Sequence, residues 1–282
     1  YFDPVENHLC DFHDGLKHIQ KKILVSIGNP LIRFEEDPVR SLRAIRFSSK
    51  LKFKISNDIK EAIYQKGNLL ENISNARMFD EFCKIFLTKE AQNNFTKLNT
   101  FGVLKYLINT ENHPENSFDS RFQQAALINT DNRLKASKSV TPGFLIAALL
   151  WPRLIDAAKE KGSLNLRKFF RNMDRIIREQ QELTAVPRKF HGYIKDIWSL
   201  QLKLETRLGH QPYKILNHPR FRAAYDFLLL REEAANDTQG MGEWWTKFQK
   251  INRPAKIEML KILRDSRNGP VEKKFGFLEE LS

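Results

Sequence analysis

The feature that most constrains the fold of this sequence is a change of period at Gly28-Asn29-Pro30. Before this turn signal the apolar residues fall in short strand-like runs, and after it they recur at helical spacing nearly to the C-terminus. The early runs are Tyr1-Phe2, then Leu9 to Phe12 after a turn at Asp3-Pro4, then Ile23 to Ile27 after a break at Asp14-Gly15. They read as the last strands of a domain whose remainder precedes Tyr1. The expected fold class is therefore mainly α: an elongated multi-helix assembly with a small β remnant at its N-terminus.

Asp37-Pro38 reads as N-cap and N1 of the first long helix, because Asp can accept from free first-turn N–H groups and Pro has none to lose. That helix is expected to reach Leu51. Periodicity predicts further helices over 55–66, 76–88, 90–101, 118–127, 144–160, 164–184, 191–208, 213–218, 221–234 and 242–251. The polar stretches 110–117 and 130–139 read as linkers, 236–240 as a loop, and the residues after Arg264 as a loose tail. The expected organisation is a β remnant over 1–28, helical regions over 29–110, 111–186 and 187–264, and the tail over 265–282. No fixed-period repeat argues for a solenoid.

Composition narrows the partners. With 47 Lys and Arg against 34 Asp and Glu the net charge is +13, which favours a polyanion. Hydrophobic residues at 41%, including 21 Phe, exclude a largely disordered chain. Cys10 and Cys83 make neither a disulfide framework nor a zinc set, so a reducing cytoplasm is the expected location. The longest apolar run, Gly143 to Trp151, is far short of the ~20 residues of a membrane span.

Chemistry concentrates between Arg33 and Phe47. Arg40, Arg43 and Arg46 recur every third residue, beside a stripe of Val39, Leu42 and Ile45 that can anchor the helix to a core. Asp37 and Arg40 share a face at i, i+3. A carboxylate beside a guanidinium sets an acceptor next to donors. That order complements adenine, whose amino group sits beside a bare ring nitrogen, and cytosine, which has the same order. Guanine and uracil present a carbonyl and a ring N–H there, so they meet acceptor with acceptor and donor with donor. The plainer reading makes Asp37 a helix cap with Arg40 as its surface ion partner.

The string Ile27-Gly28-Asn29-Pro30, Arg33-Phe34, Glu36-Asp37-Pro38-Val39-Arg40, Leu42-Arg43-Ala44-Ile45-Arg46-Phe47 closely resembles the neck signature of the bacterial poly(A) polymerase and CCA-adding enzyme family, class II. The resemblance implies that Asp37 and Arg40 read the base of the incoming nucleotide, with Glu36 and Arg43 orienting that pair or packing near the nucleotide. Asn75-Ala76-Arg77-Met78-Phe79-Asp80-Glu81 matches the family's Ala-Arg-x-x-x-Glu segment, where an i, i+4 pair of Arg77 and Glu81 is expected to brace the neck. The strings from Lys195 to Gln201 and from Leu216 to Arg231 resemble the RNA-binding tail of the poly(A) polymerase branch.

Residues 188–231 carry nine Lys or Arg against three acids, interleaved with aromatics, as single-stranded RNA requires. Arg188, Lys189, Lys195, Arg220 and Arg222 are the expected RNA contacts. Trp198, Tyr225 and Phe227, at helical spacing, are expected in the core. His191, His210 and His218 fit no metal-ligand motif and read as solvent-facing or capping residues. Asp11-Phe12-His13-Asp14 reads as a hairpin end.

The resemblance implies addition of AMP from ATP to RNA 3′ ends, with two Mg²⁺ ions held by carboxylates of a catalytic head. The family's Asp-x-Asp after a Gly-rich turn and its Arg-Arg-Asp-Phe-Thr segment are absent from these residues. The expectation is a base reader and RNA grip with no catalytic or metal-binding residue of its own, inactive alone. The alternatives are a CCA-adding enzyme, whose base logic is identical, and a non-catalytic helical RNA-binding module.

Overall fold

A computed structural model describes residues 2–110, 114, 117–235 and 240–268. Fourteen α-helices lie among them, with only two-residue strands, so the chain is mainly α as its periodicity requires. It divides into two units, residues 1–108 with 130–137 and 183–185, and residues 109–129 with 138–182 and 186–282. No described helix is long and apolar enough to cross a membrane.

In the first unit, Phe2–Asp3 pairs antiparallel with His8–Leu9. The Asp11 cluster is a helix start rather than a hairpin end. Its carboxylate accepts from the N–H groups of Gly15 and Leu16, both at 2.8 Å, at the head of the Gly15–Lys21 helix. Those N–H groups, Leu16 first, hold the Asp11 carboxyl below its ordinary pKa. Ile23–Leu24 pairs parallel with Lys54–Ile55, so the last of the early strands joins chain well beyond Gly28.

Periodicity does not predict the Pro30–Glu36 helix, which is capped by Asn29 accepting from Leu31 N at 2.9 Å. The Val39–Leu51 helix follows, and its stripe of Val39, Leu42 and Ile45 is fully buried. Asn57–Lys66, Asn75–Phe86 and Ala91–Thr100 come within two residues of expectation. Ile59, Ile63, Met78, Phe82, Phe86 and Leu98 fill the core with them. The head of Ala91–Thr100 is capped from 40 residues away: Asp131 accepts from Ala91 N at 2.6 Å and Gln92 N at 3.3 Å. Asp131 sits in a stretch expected to be a linker, but the Phe118–Lys135 helix runs through it. Asp131 commits its side chain to that contact, and in composition a polar residue so used looks the same as one in a linker.

The second unit is built on the Pro142–Ala158 helix, which is buried nearly all round, with Thr141 accepting from Phe144 N at its start. Its Trp151 packs against Phe227 and Phe169, at ring separations of 5.3 and 6.0 Å. The Arg188–Glu205 helix buries Ile194, Ile197, Trp198, Leu200 and Leu204, and Trp198 Nε1 donates to Ala147 O at 3.0 Å. A further cluster joins Leu204, Ile215, Phe221, Tyr225, Leu228, Trp245 and Phe248. Trp198, Tyr225 and Phe227 are therefore core residues. Arg253–Asn268 is a helix that continues four residues beyond Arg264, where a loose tail was expected. The loop expected over 236–240 lies outside the described residues except for Gly240, as does most of 110–117.

Candidate functional site

In the first unit, two helices meet at Asp37. Its backbone is extended, whereas Pro38 is already helical, so by dihedral angles Asp37 is the cap position and Pro38 the first helical residue. The side chain does not cap. Both carboxylate oxygens accept from Nη2 of Arg77, at 2.8 and 2.9 Å. Arg40 Nε stands 4.0 Å from the Asp37 carboxylate, and Arg40 Nη1 donates to Glu36 at 3.0 Å and to Arg33 O at 3.2 Å. Arg33 donates to the same Glu36 oxygen at 2.7 Å. The side chains of Asp37 and Arg40 are 19% and 32% exposed, so both reach solvent from a partly sheltered position. Glu36 thus bridges two guanidiniums and fixes the reach of Arg40.

The expected Arg77–Glu81 brace is replaced by the Arg77–Asp37 pair. Glu81 is buried and turns to Lys84 at 3.0 Å and Arg43 at 3.7 Å. Arg43 therefore faces Glu81 rather than Asp37. Sequence spacing could not reveal that Arg77 reaches 40 residues back, because i, i+4 pairing was the nearer explanation for a matched Arg and Glu.

In the second unit, the expected cations differ in their partners. Lys195 is paired with Asp174, and Arg222 with Asp226 at 3.0 Å. Arg188, Lys189 and Arg220 are exposed, and no carboxylate pairs with them among the described residues. The Arg220 guanidinium lies 5.0 Å from the centre of the Tyr193 ring, and the Lys189 ammonium 5.2 Å from that of Phe190. Both rings lean on Gly143, where an added Cβ would stand 3.0 Å from Tyr193 and 3.1 Å from Phe190. The missing side chain at Gly143 lets the two cation-bearing rings sit against the helix backbone. His218 Nδ1 accepts from Arg220 N at 3.1 Å, a capping role, and His191 Nε2 lies 3.0 Å from Val186 O.

Among the described residues no group of three or more His, Cys, Asp or Glu is placed to hold a metal ion. The acids near Asp37 are each committed to arginine or lysine. The donor set here does not fit a two-metal centre.

A family model described as "Polymerase A arginine-rich C-terminus" matches residues 161–274, and one described as "Probable RNA and SrmB-binding site of polymerase A" matches residues 52–115. The curated "Poly(A) polymerase I" of Salmonella typhi is 34% identical over 275 residues, 94% of this chain and 59% of that protein. The chain thus spans about three-fifths of the length of the poly(A) polymerases it matches. A "CCA-adding enzyme" of Lactococcus lactis is 39% identical over 103 residues, 36% of this chain and 26% of that protein. A solved "tRNA-processing enzyme (apo form 2)" shares the fold, with a TM-score of 0.60 at 20% identity, over 91% of this chain and 68% of that one.

Proposed function

We propose that this chain, which belongs to the poly(A) polymerase family through its RNA-binding and arginine-rich C-terminal regions, selects the adenine of ATP and holds the RNA whose 3′ end receives AMP. The observation that carries this reading is the Asp37 carboxylate, fixed by Arg77 beside an Arg40 whose Nη2 bears no hydrogen bond among the described residues. A carboxylate offers about four lone-pair sites. Arg77 uses one on each oxygen, and one that remains accepts from the adenine amino group. Arg40 then donates to the adjacent ring nitrogen. Guanine would set its carbonyl against the carboxylate and its ring N–H against the guanidinium. Glu36 serves as the positioning residue for Arg40, and Arg43 acts on the far side, through Glu81.

In the second unit, Arg188, Lys189 and Arg220 supply phosphate contacts, while Lys195 and Arg222, already neutralised by acids, contribute less. Mg²⁺, which the family reaction requires to activate the 3′ hydroxyl, would be held by residues other than these. The 282 residues alone are accordingly expected to transfer no AMP. A cytoplasmic site of action suits an RNA substrate and two cysteines, Cys10 and Cys83, that form no disulfide.

Fluorescence anisotropy with labelled oligo(A) tests the RNA reading. Replacing Arg188, Lys189 and Arg220 together with Ala should flatten the salt dependence by about 0.7 for each phosphate no longer neutralised. An unaltered slope would remove this face from the RNA path. A CCA-adding role is the second reading, favoured by the Lactococcus lactis similarity and by the shared edge pattern of adenine and cytosine. Incorporation from ATP and CTP by the chain joined to a catalytic head decides between them.

A further inference from the structure

A cavity of about 390 Å³ in the second unit is lined by His210 and Tyr213 from one segment and by Arg253, Lys256 and Ile257 from another. It is open to solvent on one side, so it is a groove rather than an enclosed chamber. The lining divides into two chemistries. Tyr213 and Ile257 offer planar and aliphatic surface, and the Tyr213 ring is held in place by Phe248, with centroids 5.6 Å apart. Arg253 and Lys256 offer positive charge, and among the described residues no acid lines the cavity and neither cation has a carboxylate partner. The Lys256 ammonium lies 5.4 Å from the centre of the Phe248 ring, so its stem is also anchored.

We infer that this cavity holds one nucleotide of a bound single-stranded RNA, its base against Tyr213 and Ile257 and its phosphate on Arg253 and Lys256. The inference rests on the RNA-holding reading above and extends it to a contact separate from Arg188, Lys189 and Arg220. Base stacking on an aromatic face beside a basic groove is how sequence-tolerant single-strand binding is built. RNA is favoured over a free nucleotide because Arg253 is exposed and the chain carries a net charge of +13. Those properties suit a strand that enters and leaves, rather than an enclosed small molecule.

The test compares the chain with its Arg253→Ala/Lys256→Gln variant, both checked for an unchanged melting temperature. Anisotropy with a labelled oligo(A) should show the variant weakened roughly 2- to 30-fold, as two exposed ion contacts would produce, with a salt slope lower by about 1.4. Photo-cross-linking with 4-thiouridine in the oligomer should mark peptides containing residues 210–213 or 253–257 in the parent chain. If the parent binds the oligomer and the variant binds it equally, with cross-links only elsewhere, the cavity inference falls while the RNA-holding reading stands. If the parent itself does not bind, the RNA-holding reading falls first. Free AMP is the control ligand: AMP binding abolished in the variant while oligomer binding stays intact would assign the cavity to a free nucleotide and overturn the inference.

Discussion

Replacing Asp37 with Ser separates a base reader from a structural brace. Ser tolerates the extended cap position as well as Asp does, but it is too short to hold Arg77 Nη2 and meet a base at once. Two effects follow from the geometry. The pair with Arg77 is removed, and because the two side chains are 19% and 41% exposed its worth is discounted to about 0.5–1 kcal/mol. A melting temperature lower by about 2–4 °C is the expected cost. Base choice is removed as well, and a two-point edge mismatch is worth about 1–3 kcal/mol, or roughly 5- to 150-fold between ATP and GTP. Ligand-observed NMR titrations of ATP, CTP and GTP measure that ratio without any need for catalysis. The parent chain should prefer ATP and CTP, and the Ser variant should bind all three alike. A Ser variant that melts lower yet keeps the parent's ATP-to-GTP ratio would refute the reading and leave Asp37 as a brace for Arg77.

Other consequences follow from buried contacts. Asp131→Ala should cost about 1–2 kcal/mol by uncapping the Ala91–Thr100 helix, and Asp131→Asn should cost less because an acceptor remains. Burial raises the Asp131 pKa despite its two backbone donors, so its contribution is fullest below the unfolded value near 3.8 and fades as pH rises through the higher folded value. The stability of the parent minus that of Asp131→Asn, followed by denaturant titration, should therefore fall as pH rises from below 3.8 towards neutrality. Gly143→Ala should displace Tyr193 and Phe190 at an overpacking cost of about 1–3 kcal/mol, and should weaken RNA binding with them, which melting and anisotropy read together. Glu205→Gln should destabilise by about 3–5 kcal/mol, because the buried Arg231, 1% exposed, would lose the charge contact it makes with Glu205 at 3.5 Å. The double variant Arg231→Met/Glu205→Gln should recover most of that stability in urea unfolding.

What the sequence made legible, and what it hid, follows from the range of the forces involved. The stripe of Val39, Leu42 and Ile45 is a local repeat with a single packing solution, so both the helix and its buried face could be read in advance. The same holds for Trp198, Tyr225 and Phe227, which recur at core spacing. Charges obey no such period. Lys195 and Arg222 are both expected RNA contacts, yet no local pattern announces that Asp174 engages Lys195, whereas Asp226 stands at i+4 from Arg222. Arg77 was given to Glu81 on spacing and instead holds Asp37, and Asp131 looked like linker yet caps a helix 40 residues away. A polar side chain in a core or cleft must be satisfied by whatever the fold brings to it, and that partner can lie anywhere in the chain. The ion pairs that fix Asp37 are therefore set by tertiary structure, while the identity of Asp37 and Arg40 as neighbours is set by the sequence alone. The proposed base selection needs both, since a carboxylate free to swing would accept from either edge, and one held by Arg77 keeps its remaining lone pairs in fixed directions beside Arg40.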